Sequence, residues 1–266
     1  MEPLIDVGYC HFCFAIADMK PIHLVLKDAD ALQAPLGGTP TPSLARRFDD
    51  IARGEPSPAI QATCEELSRF LQTTDDLDAV YGQDAVIPLA DIESATDAGL
   101  LRAAELDQSL ARQGRWAEQR ALRSITLGIA LWAMRHQVDF RVVEPIVNAL
   151  AEQANEAHSK QEASAVFALM QGVIVHVTPY LQIDLERSNP ERPWRLLNLN
   201  LAITAIRSGD PTLIQFAFDA LNQNLPDECA GFYQAAEELA AKSAVSDETR
   251  ALIELARTKC SVTASH

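Results

Sequence analysis

The sequence predicts an all-α protein of stacked antiparallel helices, and three observations carry that expectation. Ten segments between residues 43 and 260 space their apolar side chains at helical intervals, the connections between them are mostly short, and a two-helix pattern recurs about 70 residues along the chain.

Residues 1–42 stand apart from this pattern. Gly8–Ile16 and Ile22–Leu26 are rich in aromatic and β-branched side chains around Asp18-Met19-Lys20-Pro21, and they read as a small N-terminal β-hairpin. Pro35–Pro42 is the densest Pro/Gly stretch and reads as a linker ending at a helix start near Ser43. A helical-repeat domain is expected over 43–266, with helices at 43–53, 57–73, 91–112, 115–136, 140–157, 160–177, 193–207, 211–224, 227–242 and 246–260. Ser57 and Asp91 stand where a side chain caps exposed amides. Pro193 and Pro211 suit first helical turns, and Ser246 precedes Asp247-Glu248, acids that favour a helix N-terminus. Gly54, Gly114 and Gly209 fall at helix ends or turns. Residues 74–90, with Asp75-Asp76, Gly82 and Pro88, read as a long connection without an assigned element.

The repeat compares Leu127–Arg135 with Leu199–Arg207, 72 residues apart. Both follow Leu, any, aliphatic, Ala, aliphatic, any, Ala, Met or Ile, Arg. Each segment runs into a turn with Asp139 or Asp210, beyond which Val142-Val143, Val147 and Ala149-Leu150 answer Leu213-Ile214, Phe218 and Ala220-Leu221 at a spacing of 71. One residue inserted in the first turn explains the change of spacing. Such hairpins cannot bury their apolar surface alone and stack on neighbours. Ala130, Ala133, Ala202 and Ala205 supply small side chains on a face that another helix can approach closely.

From Asn200 onward the second copy resembles a tetratricopeptide repeat. Asn200-Leu201-Ala202 is similar to that family's Asn-Leu-Gly step, Gly209-Asp210 to its inter-helix turn, Phe218 to its second-helix aromatic and Pro226 to its closing proline. The resemblance spans residues 195–226, with a looser echo in 127–153. Asn198 stands where the family has Trp, Ala205 where it has Tyr, and Ile214 where it has a small Ala. The resemblance implies a tetratricopeptide-like or related α-solenoid scaffold, which receives a peptide or partner protein on the concave face lined by first helices. Asn200 matches a polar ligand-contacting position of that face.

Composition narrows the function classes. With 266 residues and 48% hydrophobic content, the chain can bury a large core as one continuous body. Thirty-seven acidic against twenty-two basic residues give a net charge of −15, which argues against nucleic-acid and anionic membrane partners. No export signal is evident near the N-terminus, where Glu2 and Asp6 stand in place of basic residues, and no apolar run approaches the roughly 20 residues of a membrane span. Five scattered cysteines read as reduced thiols, so a cytoplasmic location is expected.

No cofactor, metal site or catalytic constellation is expected. Cys10-His11-Phe12-Cys13 has metal-ligand spacing but no second pair, and Cys10 and Cys13 read as ordinary thiols. His176, in Val173-Ile-Val-His-Val177, reads as a core histidine bonded to a backbone carbonyl. His136 and His158 lie near helix ends, where a partial positive charge favours the dipole, and both read as structural. Arg112, Arg115, Arg120 and Arg123 form a local basic cluster. Its simplest reading is a solvated face paired with acids such as Glu118, and its alternative is a patch for an anionic partner. Arg135 and Arg207 end the two matching first helices and, with Asn200, are the candidate partner-binding residues for an acidic peptide segment.

The function expected is a cytoplasmic helical-repeat scaffold or adaptor that binds another protein or peptide, rather than an enzyme. Two rivals are an all-α small-ligand binder or enzyme with a site among buried helices around His176 and Trp132, and an acidic immunity- or antitoxin-type inhibitor of a basic partner.

Overall fold

The computed structural model describes residues 43–53, 58–181, 189, 192–242 and 245–263. The expected hairpin, the Pro/Gly linker, Cys10, Cys13, Gly54 and Ser57 lie outside the described residues. Within them the regular structure is helical: α1 (Leu44–Ala52), α2 (Pro58–Tyr81), α3 (Ile92–Arg112), α4 (Trp116–Arg135), α5 (Glu144–Glu156), α6 (Lys160–Leu181), α7 (Pro193–Ser208), α8 (Pro211–Asn224), a 3-10 turn at Pro226–Glu228, α9 (Cys229–Lys242) and α10 (Asp247–Thr263). Helices adjacent in sequence pack as neighbours, most extensively α6 on α7, α7 on α8, α2 on α3, α3 on α4 and α9 on α10. Their apolar faces merge into one core running from Phe48 of α1 to Ala256 of α10. No described helix is long and apolar enough to cross a membrane.

Local chemistry accounts for most boundaries. The Ser43 hydroxyl accepts from the Arg46 amide, Asp210 accepts from the Thr212 and Leu213 amides ahead of α8, and Ser246 accepts from the Thr249 amide ahead of α10. Asp91 holds the N-cap position of α3, but its side chain makes no capping bond. Gly209 closes α7 in the left-handed region at φ 64°, where a side chain would be strained. α4 stops without a glycine: Gln137 adopts φ 56°, and the Val138 amide donates back to the Ala133 carbonyl at 2.8 Å.

Three boundaries differ from expectation by four residues or more. α2 continues eight residues beyond 73, because its inward face runs on through Thr74 and Asp78, polar groups whose partners lie on the chain itself and on α4. α5 begins at Glu144 instead of 140, since the Asp97 carboxylate of α3 takes the Arg141 and Val142 amides at 2.8 and 3.0 Å and holds that segment out of the helix. α6 extends through Leu181.

The two helices of the repeat differ in burial. In α4 every residue from Ile125 to Met134 is buried, whereas α7 leaves Ile203 45% exposed. The cause is α1, which crosses α4 at Gly128, where an added Cβ would collide with Leu44. That crossing covers the outer face of α4.

Candidate functional site

A solvent-open cavity follows from where α1 lies. At nine residues, α1 covers the middle of α4 but not its N-terminal half. There the small side chains of Ala117, Ala121 and Ala149 leave a solvent-open groove of about 570 Å³ between α1, α4 and α5. Ile51, Ile125 and Leu127 complete an apolar floor, and the rim carries Arg47, Arg120, Glu152 and Glu156.

The arginines of this region have unequal freedom. Arg123 spans three helices, giving Asp107 of α3 bonds of 2.8 and 3.2 Å and Glu152 of α5 one of 3.0 Å. The same Asp107 accepts from Gln119 at 2.9 Å. These bonds to Asp107 and Glu152 outweigh burial and keep the Arg123 guanidinium more firmly protonated than an ordinary arginine. Arg120 lies at the mouth, its side chain 66% exposed, with Glu156 at 3.0 Å and Glu152 at 3.8 Å. Arg115 pairs with Glu118 at 3.3 Å. Arg47 donates to the Ser124 hydroxyl at 2.7 Å, and burial lowers its affinity for a proton.

The other candidate residues lie elsewhere. The Arg207 guanidinium donates to the main-chain carbonyls of Ala154, Asn155 and Ala157, so it closes the C-terminal end of α5. Arg135 stands 3.9 Å from Asp84 in the connection after α2. Arg207 thus adjoins the end of α5 that meets Arg120, while Arg135 is fifteen residues, or about 22 Å, further along α4. The structure does not bring Arg135 and Arg207 together. Asn200 is half-buried on α7. The polar group of α7 that sequence reasoning passed over is Asn198, fully buried, which donates to the Trp194 carbonyl at 2.9 Å and accepts from Asn224 of α8 at 2.8 Å. Its signal was helical spacing, four residues after Trp194 and three before Leu201, which puts it on their apolar face.

A second cavity, about 330 Å³, opens between α2 and α3 over Phe70, Leu77 and Trp132. Behind it the Trp132 indole N–H donates to Asp78 at 2.8 Å, and the buried His136 ring meets Asp78 through Nε2 at 2.8 Å and the Ala85 carbonyl through Nδ1 at 2.6 Å. His136, the C-cap of α4, is therefore an internal tie between α4 and the connection after α2. Both ring nitrogens are engaged within the fold, so neither is open to a substrate.

His176 is buried as expected, but its partner is a carboxylate instead of a backbone carbonyl: Nδ1 lies 3.1 Å from Asp139, and the ring stacks near Phe140. Burial holds its proton affinity below the ordinary value, against the opposing pull of Asp139. As pH falls, the unfolded chain therefore takes up this proton first. The associated stability is complete above about pH 6.5 and drains away below it, toward the lower folded-state value. In chemical denaturation, the midpoint should fall from pH 6.5 toward 5 in the native sequence and fall less in His176→Asn. Equal slopes would show that His176 does not titrate differently on folding.

Among the described residues no group of three or more His, Cys, Asp or Glu side chains could hold a metal ion. No family model, curated protein or solved structure matches the chain.

Proposed function

We propose that the protein is a helical-repeat scaffold that binds another protein through a short segment of it, received in the groove between α1, α4 and α5. The observation that carries this reading is the groove itself, open to solvent, with an apolar floor and an arginine-bearing rim. Its dimensions suit a few side chains of an extended or helical segment better than an enclosed metabolite. The segment would carry carboxylates between apolar residues. Its carboxylate would exchange with Glu156 for the exposed Arg120, while its apolar side chains cover Ile51 and Ile125. Arg123, already engaged by Asp107 and Glu152, holds the walls instead of contacting the guest.

The test is selection of a random peptide library against the full chain, followed by titration of the selected peptides. Acid-bearing sequences should be enriched, and Arg120→Glu combined with Arg47→Gln should weaken their binding by roughly tenfold or more. Arg207→Ala serves as the contrast: it should lower the thermal midpoint, through loss of its bonds to the end of α5, yet leave affinity within about twofold. Enrichment without acids, or affinity indifferent to Arg120 and Arg47, would sink the proposal. A specific observation also favours the small-ligand reading, namely the aromatic-walled cavity over Phe70 and Trp132. Peptides that compete with an apolar dye there, but ignore the Arg120 change, would move the site to that cavity.

A further inference from the structure

The last two helices set two cysteines face to face. α9 and α10 form an antiparallel pair joined between Lys242 and Asp247. Counting outward from that connection at the common helical rise places Ala240 opposite Thr249, Ala236 opposite Ile253, Tyr233 opposite Ala256 and Cys229 opposite Cys260. The first seven of these residues in the ladder are buried, from Ala240 through Cys229, and Cys260 is half-buried against the same core. Ala236, Ala240 and Ala256 let the backbones approach closely. At the open end of the ladder the Cys229 thiol has the Cys260 thiol as a neighbour. The Cys229 thiol also reaches the Leu225 carbonyl at 3.2 Å. Both cysteines are reduced in the structure.

We propose that Cys229 and Cys260 are an oxidation site, at which a small-molecule disulfide converts the two thiols into one intramolecular disulfide that bolts α10 to α9. Cys260 enters first, because it is the more exposed. Its thiolate attacks one sulfur of the oxidant and expels one thiolate, giving a mixed disulfide on Cys260. The Cys229 thiol then loses its proton and attacks the Cys260 sulfur, which expels the second thiolate. The protein loses two electrons and two protons, and the oxidant gains both as two thiols. Burial, with the adjoining Cys260 thiol second, pushes the Cys229 thiol up to about 12, so Cys229 resolves the mixed disulfide instead of initiating it. Thiols that face each other on one rung of a closely packed helix pair are placed for side-chain rotation to join them.

The bond would close a loop of about 30 residues and remove freedom from the unfolded chain. Since α10 also packs on α8, oxidation would secure the whole C-terminal end of the stack. The experiment treats the native full-length protein with glutathione disulfide, blocks remaining thiols and maps the peptides. The result expected is a Cys229–Cys260 linked peptide, no retained glutathione, and a thermal midpoint raised by roughly 5 °C or more that reductant reverses. Cys260→Ser and, separately, Cys229→Ala should show neither the link nor the rise. Glutathione retained on Cys260 without the link, linkage of Cys260 to Cys10 or Cys13, or a link that forms only in denaturant would overturn the proposal. A linked pair with an unchanged midpoint would overturn the bolt.

Discussion

His136→Ala is expected to cost about 2–4 kcal/mol of stability and to loosen the connection between α2 and α3. The ring is buried and holds two elements at once, the Asp78 carboxylate near the end of α2 and the Ala85 carbonyl in the connection. Truncation leaves that carbonyl and carboxylate short of a donor, opens a void beside Trp132, and removes a ring contact of 4.8 Å between centroids. Trp132 still donates to Asp78, which keeps the loss below that of a wholly orphaned charge. Denaturant titration measures the cost, and amide exchange over residues 82–91 measures the loosening. A cost below roughly 0.5 kcal/mol, with exchange unchanged, would show that the tie is ornamental.

Arg123→Met is expected to lower stability by about 2–3 kcal/mol, less than the 3–5 typical of a fully buried pair because each partner keeps about a quarter of its exposure. The change leaves Asp107 and Glu152 facing a thioether instead of a guanidinium that joins α3, α4 and α5. Neutralising the stranded acids, as Arg123→Met with Asp107→Asn and Glu152→Gln, should recover more than half of the loss. If the triple variant is no more stable than the single, packing by the arginine stem and not charge is what the site supplies. The same series bears on the proposed groove, since its α5 wall depends on Glu152.

The two predictions rest on residues of different legibility. Arg123 belonged to a visible basic cluster in an acidic chain, with Glu118 named as a neighbouring acid. Its actual partners, Asp107 and Glu152, come from helices sixteen residues before and twenty-nine after it. The place of His136 at a helix end was legible, because position in a helix is local information, but its bonds to Asp78 and Ala85 were not, because burial beside another helix is not local.

Helical periodicity, capping residues and punctuation by Gly and Pro were enough to locate all ten helices of the described residues and most of their ends, since these depend on interactions within a few residues. Two of the misplaced ends share a non-local cause: Asp97 draws out residues 141 and 142 from another helix, and Asp78 prolongs α2 because Trp132 and His136 receive it. The groove was equally hidden. It exists because a nine-residue helix crosses at Gly128 and leaves Ala117 and Ala121 uncovered, an arrangement set by how helices cross rather than by any local pattern. Arg135 and Arg207 mark the same limit from the other side: matching positions in two copies of a pattern share a local role at a helix end, while packing decides what their side chains touch, the end of α5 for Arg207 and the connection after α2 for Arg135.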